Sequence, residues 1–208
     1  MQVNLLLSDR DAANRNVWRS NHNGSSFTLD HSVNRLVSVG EPPMQSKDLL
    51  LLAHPQAPAM VLPLLEDLAT APLTTGAGAD GNHAHWILGH LALSETGFRS
   101  MADGTPNAAE SLKPMFGGGS QPQPAGDGYP AYADLLTQLK ARHEETVAWI
   151  ESLSEDDLDQ KSQAIPEGFE PFFGTWRQVL LMRPLHYMNH RGQLADCRRA
   201  AGREPMMA

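Results

Sequence analysis

Three histidines combine a residue type and a spacing that could do chemistry in this chain. His186 and His190 stand four residues apart in the segment RPLHYMNHRGQLADCRRAAG. On a helix, residues four apart share one face, so both imidazoles can point at one position. His90, in GNHAHWILGHLALSE, falls in a second helical pattern and could supply a third nitrogen from a facing helix. Three neutral imidazoles with an open coordination position suit a divalent metal, and the sequence predicts such a site.

The spacing alone leaves a second interpretation open, in which these histidines only pack in the core or lie on the surface. His186 and His190 fall on the apolar stripe of their helix, and a buried imidazole without partners costs on the order of 1–3 kcal/mol. That cost favours either a metal or specific hydrogen bonds. Because metal binding needs neutral imidazoles with a reference pKa of ~6.5, metal affinity is expected to fall steeply below pH 6.

Other candidate ligands are excluded by their positions along the helices. His83 lies roughly 10 Å along the helix from His90 and cannot share its metal. His85 is expected to face solvent. Cys197 is about two turns beyond His190, so it is predicted to be a packed core thiol. Structural or surface roles are predicted for two single histidines in other helices, His54 and His143.

Four helical patterns position these residues, and no segment shows the period-two alternation of a strand. They cover approximately residues 47–69, 82–103, 131–153 and 175–201. The connection 104–130 ends in the Gly- and Pro-rich run GGGSQPQPAGDGYP. Its composition excludes regular structure, and its length suits a crossover along a bundle. The predicted fold class is all-α, a four-helix bundle with a long crossover loop between helices 2 and 3.

Local signals set the expected ends and breaks of these helices. Asn82 is the predicted N-cap of the second helix. Pro184, two residues before His186, is expected to kink or break the fourth helix just ahead of the site. Similar interruptions of the first helix are expected at Pro55, Pro58 and Pro63.

Composition separates an N-terminal segment from the rest of the chain and limits the partners. Residues 1–43 are rich in Asn, Ser, Arg and Asp, so they are predicted to be a largely disordered extension of a domain at 44–208. The net charge of −8 argues against a nucleic-acid partner. No apolar run approaches the ~20 residues that span a bilayer, so no membrane is expected. A cytoplasmic location follows, consistent with a single cysteine.

Two motifs resemble the DinB-like superfamily of bacterial four-helix-bundle metalloproteins. They are W-x-x-G-H-L at 86–91 and H-x-x-x-H-R-G-Q-L at 186–194, followed by a final A-G-R-x-P. The resemblance extends over roughly 46–206. It implies an up-down-down-up order of helices and a divalent metal, nickel or zinc, bound by His90, His186 and His190.

The resemblance also implies a chemistry. The metal would hold a low-molecular-weight thiol, such as bacillithiol or mycothiol, as thiolate for transfer to an electrophile. Arg183 is expected either to bind a carboxylate of a small-molecule substrate or to be a surface charge. Gln193, one turn after His190, could orient a metal-binding residue through a hydrogen bond without contacting the metal itself. Three alternatives stay open: a metal-dependent hydrolase, a metal-binding bundle with a structural, sensory or partner-binding role, and an interaction module without metal. A homodimer is a further expectation.

Overall fold

The computed structural model describes residues 15–18, 27–30, 43–76, 78, 81–124 and 126–206, which fall into two compact units. The first unit, Met1–Pro43, contains strand β1 (Arg15–Trp18) paired antiparallel with strand β2 (Phe27–Asp30). The sequence predicts no strand, so this pair is a correction. Both strands are rich in the aromatic and β-branched residue types that favour extended backbone. The predicted disorder of 1–43 otherwise falls outside the described residues.

The second unit, Met44–Ala208, is helical throughout its described elements. Its helices are α1 (Ser46–Leu68), α2 (Ala84–Asp103), α3 (Lys113–Phe116), α4 (Tyr132–Ser152), α5 (Glu170–Phe173) and α6 (Trp176–Ala200). Two 3-10 turns, Glu110–Leu112 and Asp156–Asp159, complete the order. The described residues of this unit contain no strand, only two isolated bridges. This unit is therefore all-α, as the sequence predicts.

The cap that starts α2 differs from the prediction by one residue. His83, not Asn82, is the N-cap, and its Nδ1 accepts a hydrogen bond of 3.2 Å from the backbone N–H of Trp86. The helix ends at Gly104, whose φ of 76° is the left-handed conformation that glycine adopts without strain. A histidine thus takes the capping role that short polar residues usually fill.

The prolines do not break the helices, so the expected breaks are corrected and a kink at these prolines stays a prediction. Helix α1 is continuous through Pro55, Pro58 and Pro63, and α6 is continuous through Pro184. Each proline removes its own N–H donor, but the turns around it keep their bonds and their packing. Pro184 and Pro58 are themselves buried, so contacts with neighbouring helices offset the lost hydrogen bonds.

Four long helices pack side by side, each against two neighbours. Helix α1 runs in the same direction as α6, and α2 runs in the same direction as α4. The contacts that show this are His54 with Leu180, Asp67 with Arg198, His85 with Pro130, and Ala92 with Arg142.

Helices α2 and α6 run in opposite directions, as do α1 and α4. The contacts here are Asn82 with Gln193, Glu95 with Arg183, Lys47 with Glu151, and Lys140 with Glu66.

One helix of the described residues, α1, is long and apolar enough to cross a membrane on length and composition alone. Core helices of soluble proteins pass the same test. Val61, Leu64 and Leu65 of α1 are at most 1% exposed and belong to the main apolar cluster. Packing against the other helices therefore accounts for these buried apolar residues of α1.

The connection between α2 and α4 is more ordered than its composition predicts. Its first half forms a 3-10 turn and α3, and it buries Leu112 and Phe116 in the core. These two apolar side chains tie the connection to α2, because Phe116 packs directly over Gly89. The segment therefore reaches the middle of α2, where His90 lies.

Candidate metal centre

Three histidine nitrogens converge between α2 and α6. His186 Nε2 lies 3.0 Å from His90 Nε2 and 3.0 Å from His190 Nε2. One nitrogen from each residue can be chosen so that all three lie within 4.8 Å of one another. The structure thus brings together the three residues that the sequence selects as ligands. They form the one group of this kind found among the described residues.

Hydrogen bonds from outside the cluster orient two of the rings. His90 Nδ1 lies 2.7 Å from the carbonyl oxygen of Phe116, and His190 Nδ1 lies 3.2 Å from Gln193 Oε1. Both oxygens can only accept, so each Nδ1 carries the proton and each Nε2 presents a lone pair. Asn82 donates to the same Gln193 oxygen at 3.4 Å, which fixes the orientation of that amide.

The cluster cannot be satisfied by its own hydrogen bonds. Two Nε2 lone pairs, from His90 and His190, face the single Nε2 of His186, which can carry at most one proton. The other ring nitrogen of His186, Nδ1, is buried without a hydrogen-bond partner. A cation at the point of convergence would accept all three Nε2 lone pairs at once.

The spacing of the nitrogens also fits a metal. A tetrahedral zinc ion with Zn–N bonds of about 2.0–2.1 Å holds its nitrogen ligands about 3.3 Å apart. The observed separations of 3.0 Å differ from this by a shift that small side-chain movements supply. Three imidazoles also suit nickel, so the residues present fit a divalent transition metal.

Burial keeps the three imidazoles neutral. It lowers the pKa of His186 to about 3, aided by repulsion from His190 and His90 in their protonated forms. Burial likewise lowers the pKa of His190 to about 4, and it lowers that of His90. The expected fall of metal affinity below pH 6 stays a prediction, and the lowered pKa values favour its onset at a lower pH. In the folded protein, protons compete for His186 and His190 only in more acidic solution.

Aromatic side chains pack against two sides of the histidine cluster. The indole of Trp86 stacks on the His90 ring, with centroids 4.9 Å apart and planes inclined by 8°. Phe98 meets the ring of His186 edge-on at 5.5 Å. Trp86 Nε1 in turn donates to the carbonyl of Met115 and to Ser120 Oγ, both at 3.1 Å. The connection between α2 and α4 is therefore part of the site.

A cavity of about 380 Å³ lies within this connection. Met115 and Ser120, which hold Trp86, line it together with Gln123, Asp127 and Tyr129. Its volume is in the range of small-molecule sites. Trp86 links the two regions, because it stacks on His90 and donates to Met115 and Ser120 of the cavity lining.

The remaining histidines of α2 hold the connection and do not join the cluster. His83 is buried, and its Nε2 lies 2.8 Å from the carbonyl of Gln123. His85 Nε2 lies 3.0 Å from the carbonyl of Pro130, so His85 is half-buried and does not face solvent as expected. Cys197 is buried, and its thiol donates to the carbonyl of Asn82. It is a packed thiol in the described structure.

Arg183 lies in a buried network that the sequence does not reveal. The side chain is fully buried, and its guanidinium pairs with Glu95, which is also fully buried. Its carboxylate partner is therefore intramolecular, and both a substrate-binding role and a surface role for Arg183 are corrected. The sequence signal was a charged residue, Glu95, one helical turn from the apolar residues Leu91 and Phe98.

Sequence comparison agrees with the motifs. The chain matches the model of the DinB superfamily over residues 54–194. This match covers more than half of the 208 residues and includes all three histidines of the cluster. The chain belongs to the DinB superfamily, a family of metal-binding proteins. Comparison with curated proteins gave no match.

Proposed function

We propose that this protein binds a divalent metal, nickel or zinc, through His90, His186 and His190. One observation carries the proposal: the Nε2 atoms of His90 and His190 each lie 3.0 Å from Nε2 of His186, while the Nδ1 atoms of His90 and His190 are held by fixed acceptors. Burial keeps the imidazoles in the neutral form that a metal requires. The histidine-rich α2/α6 interface is then a metal-binding surface.

We further propose that the four long helices form the up-down-down-up bundle of the superfamily. Support comes from the directions of neighbouring helices, since α2 and α4 run the same way and are joined by the long connection. Helices α1 and α6 run the same way as each other and opposite to their other neighbours. A crossover of this length is what two successive parallel helices need.

For the activity, we propose transfer of a low-molecular-weight thiol to an electrophilic small molecule. A bound divalent cation would lower the pKa of a thiol at its open coordination position. Trp86 and Phe98 exclude water from two sides of the cluster, which favours a metal-held anion. Glu95 does not serve as a general base, because its two oxygens accept from Arg183 and Tyr187. The cavity beside Trp86 supports a small-molecule partner.

The second candidate function is a metal-binding bundle without turnover, with a structural, sensory or partner-binding role. It is favoured by the position of the cluster, which joins α2 to α6 and would cross-link them when loaded. A metal-dependent hydrolase is a third candidate, in which water takes the open position. These functions share one site and differ in what the metal holds.

The proposed partners and location follow from the surface. With a net charge of −8, we propose a cytoplasmic protein that binds neither nucleic acid nor membrane. We also propose a homodimer through the adjacent faces of α1 and α6. Support comes from four leucines that are 51–57% exposed there, Leu49, Leu52, Leu181 and Leu185. Leu181→Glu should convert the dimer to monomer in sedimentation experiments, and a monomeric wild-type protein would reject this proposal.

Metal analysis of protein purified without an affinity tag tests the metal proposal. We expect about one nickel or zinc ion per chain after loading, and a loss of metal in His186→Ala with helicity retained. His85→Gln, which changes a histidine outside the cluster, should keep full occupancy. Less than about 0.2 metal per chain in the wild type would reject the metal site. Thiol conjugation that His186→Ala abolishes would support the transferase over the non-catalytic role.

A further inference from the structure

We propose that Glu95, Arg183 and Tyr187 set the register of α2 against α6 at which the three histidines converge. This inference rests on the proposed metal role and adds positioning residues to it. Glu95 lies five residues after His90 on α2, and Arg183 lies three residues before His186 on α6. The network is therefore the neighbouring layer of the same α2/α6 interface.

The network is fully enclosed, and both carboxylate oxygens of Glu95 are satisfied within it, whereas Nε of Arg183 has no hydrogen-bond partner. Glu95 and Arg183 are 0% exposed, and Tyr187 is 1% exposed. One oxygen of Glu95 accepts from Arg183, and the other accepts from the Tyr187 hydroxyl at 2.6 Å. Both partners come from α6. The carboxylate of α2 is thus held by two donors on successive turns of the opposite helix, which defines one register.

Arg183 also forms hydrogen bonds to the other two long helices, α1 and α4. Its Nη1 donates to His54 Nδ1 on α1 at 2.6 Å, and its Nη2 donates to His143 Nδ1 on α4 at 2.8 Å. His54 Nε2 donates to the carbonyl of Leu180 at 2.9 Å, which leaves Nδ1 free to accept. A single guanidinium therefore contacts α1, α2 and α4 from its place on α6.

The charges in the network balance. Burial, followed by the charge of Arg183, lowers the pKa of His54 to about 3, so this ring is neutral. Burial alone would raise the pKa of Glu95. The charge of Arg183 and hydrogen bonds from Tyr187 and Arg183 outweigh it and hold the pKa at about 2. One buried anion thus neutralises one buried cation, and a shift of the helices would separate the two charges.

Because Glu95 and Arg183 depend on each other for charge pairing, the network favours one register of α2 against α6. A helix can slide by one turn, about 5.4 Å, and still bury leucine, alanine and valine against similar side chains. The same slide would separate Glu95 from Arg183 and leave two buried charges unpaired, which is strongly unfavourable. It would also carry His90 away from His186. The ion pair therefore penalises the arrangements in which the metal ligands are apart.

The test separates positioning from stability with three variants. Glu95→Gln removes the anion and leaves Arg183 buried without its charge partner. The triple variant Glu95→Leu/Arg183→Met/Tyr187→Phe replaces the network with apolar side chains. The matched control is Asp67→Asn, which removes the ion pairs of α1 with Arg198 in the last turn of α6 and with Arg203 just beyond that helix. Zinc affinity is measured by chelator competition, and geometry by the visible spectrum of the cobalt-loaded protein.

We expect Glu95→Gln to lower both the melting temperature and zinc affinity. The triple variant should regain most of the melting temperature, yet bind zinc at least tenfold more weakly with an altered cobalt spectrum. Asp67→Asn should lose thermal stability while zinc affinity stays within twofold of the wild type. A triple variant with wild-type affinity and spectrum would overturn the inference.

Two further results are possible: the triple variant does not fold, or the wild type binds no metal. If the triple variant does not fold, Tyr187→Phe decides, since it removes only one of the two bonds to Glu95. It should then weaken zinc binding about threefold, and an unchanged affinity overturns the inference. If the wild type binds no metal, the proposed function and this inference fail together. Wild-type binding with an unaffected network variant rejects the inference alone.

Discussion

His90 donates its Nδ1 proton to the backbone carbonyl of Phe116, 2.7 Å away, and thereby directs its Nε2 toward His186. The acceptor belongs to the connection between α2 and α4, 26 residues further along the chain. The ring orientation of one proposed ligand is therefore set by a loop and not by its own helix. Such outer contacts fix the tautomer and raise the basicity of a metal-binding histidine.

Gly89 makes this contact possible, and Gly89→Ala should weaken it. A Cβ at this position would overlap the Phe116 ring, so the ring and its carbonyl must move. Overpacking of this kind costs typically 1–3 kcal/mol. We expect a lower free energy of unfolding in urea and weaker zinc binding in the same variant.

The control for this prediction is Gly97→Ala on the same helix. Its Cβ would meet only the Asn107 side chain, at 3.3 Å. Because alanine favours helix over glycine, stability should stay the same or rise by up to about 1 kcal/mol. Equal behaviour of the two variants would contradict the role of Gly89.

Gln193→Leu should reduce metal affinity without loss of the fold. Gln193 accepts from His190 Nδ1 at 3.2 Å, and leucine keeps the size while removing the acceptor. Loss of such an outer partner typically costs about 10–100-fold in affinity. Chelator competition measures the change, and Gln56→Leu on the exposed side of α1 is the matched control. Identical affinities of the two variants would refute the orienting role.

Trp86→Phe should loosen the connection while leaving the metal cluster in place. Phenylalanine keeps a ring against His90 but loses the indole N–H that donates to Met115 and Ser120. We expect faster proteolysis within 117–129 and zinc affinity within about threefold of the wild type. Trp176→Phe is the control, because the buried Nε1 of Trp176 has no hydrogen-bond partner. Proteolysis rates that do not distinguish the two variants would count against this prediction.

The metal-free protein should lose stability as pH falls from about 6.5 toward 3. Burial lowers the pKa of His54 and of His186 to about 3, and that of His190 to about 4, all from 6.5. Below pH 6.5 the unfolded chain binds protons that the folded chain does not, so acid favours unfolding. The stability is fully present above 6.5 and is lost progressively through this window.

Urea unfolding in the presence of a chelator measures this effect. The midpoint should decline between pH 7.5 and pH 4.5, and His54→Gln should show a shallower decline because one of the neutral histidines is gone. A midpoint that stays constant across this range would contradict the lowered pKa values. Added zinc should raise the midpoint at pH 7.5, because the ion binds the folded chain preferentially.

The sequence predicts the four long helices and the shared face of His186 and His190 from local periodicity, whereas the set of three ligands with His90 is what the family resemblance implies. The pattern around His186 and His190 places two rings on one face whatever the rest of the fold does. The all-α class of the second unit follows in the same way. By contrast, continuity of α6 through Pro184 depends on burial of that proline, which no local pattern contains.

What the sequence could not show are contacts between distant segments. Arg183 meets Glu95 across 88 residues, and spacing cannot tell a buried ion pair from a substrate-binding charge. His85 meets the carbonyl of Pro130, and a backbone acceptor leaves no signature in residue type. For the same reason, the sequence does not predict the Phe116 carbonyl as the partner of His90. Such partners are fixed by tertiary packing alone.

The bond between His90 and the Phe116 carbonyl has a reciprocal consequence. Withdrawal of electron density from Nε2 makes the Nδ1 proton a stronger donor, so an ion on the cluster would tighten the hold on Phe116. By reciprocity, a molecule that stiffens the connection raises affinity at the cluster by the same factor. The loop between α2 and α4 is thereby a reporter of the state of the histidines, and amide exchange around Phe116 gives the readout.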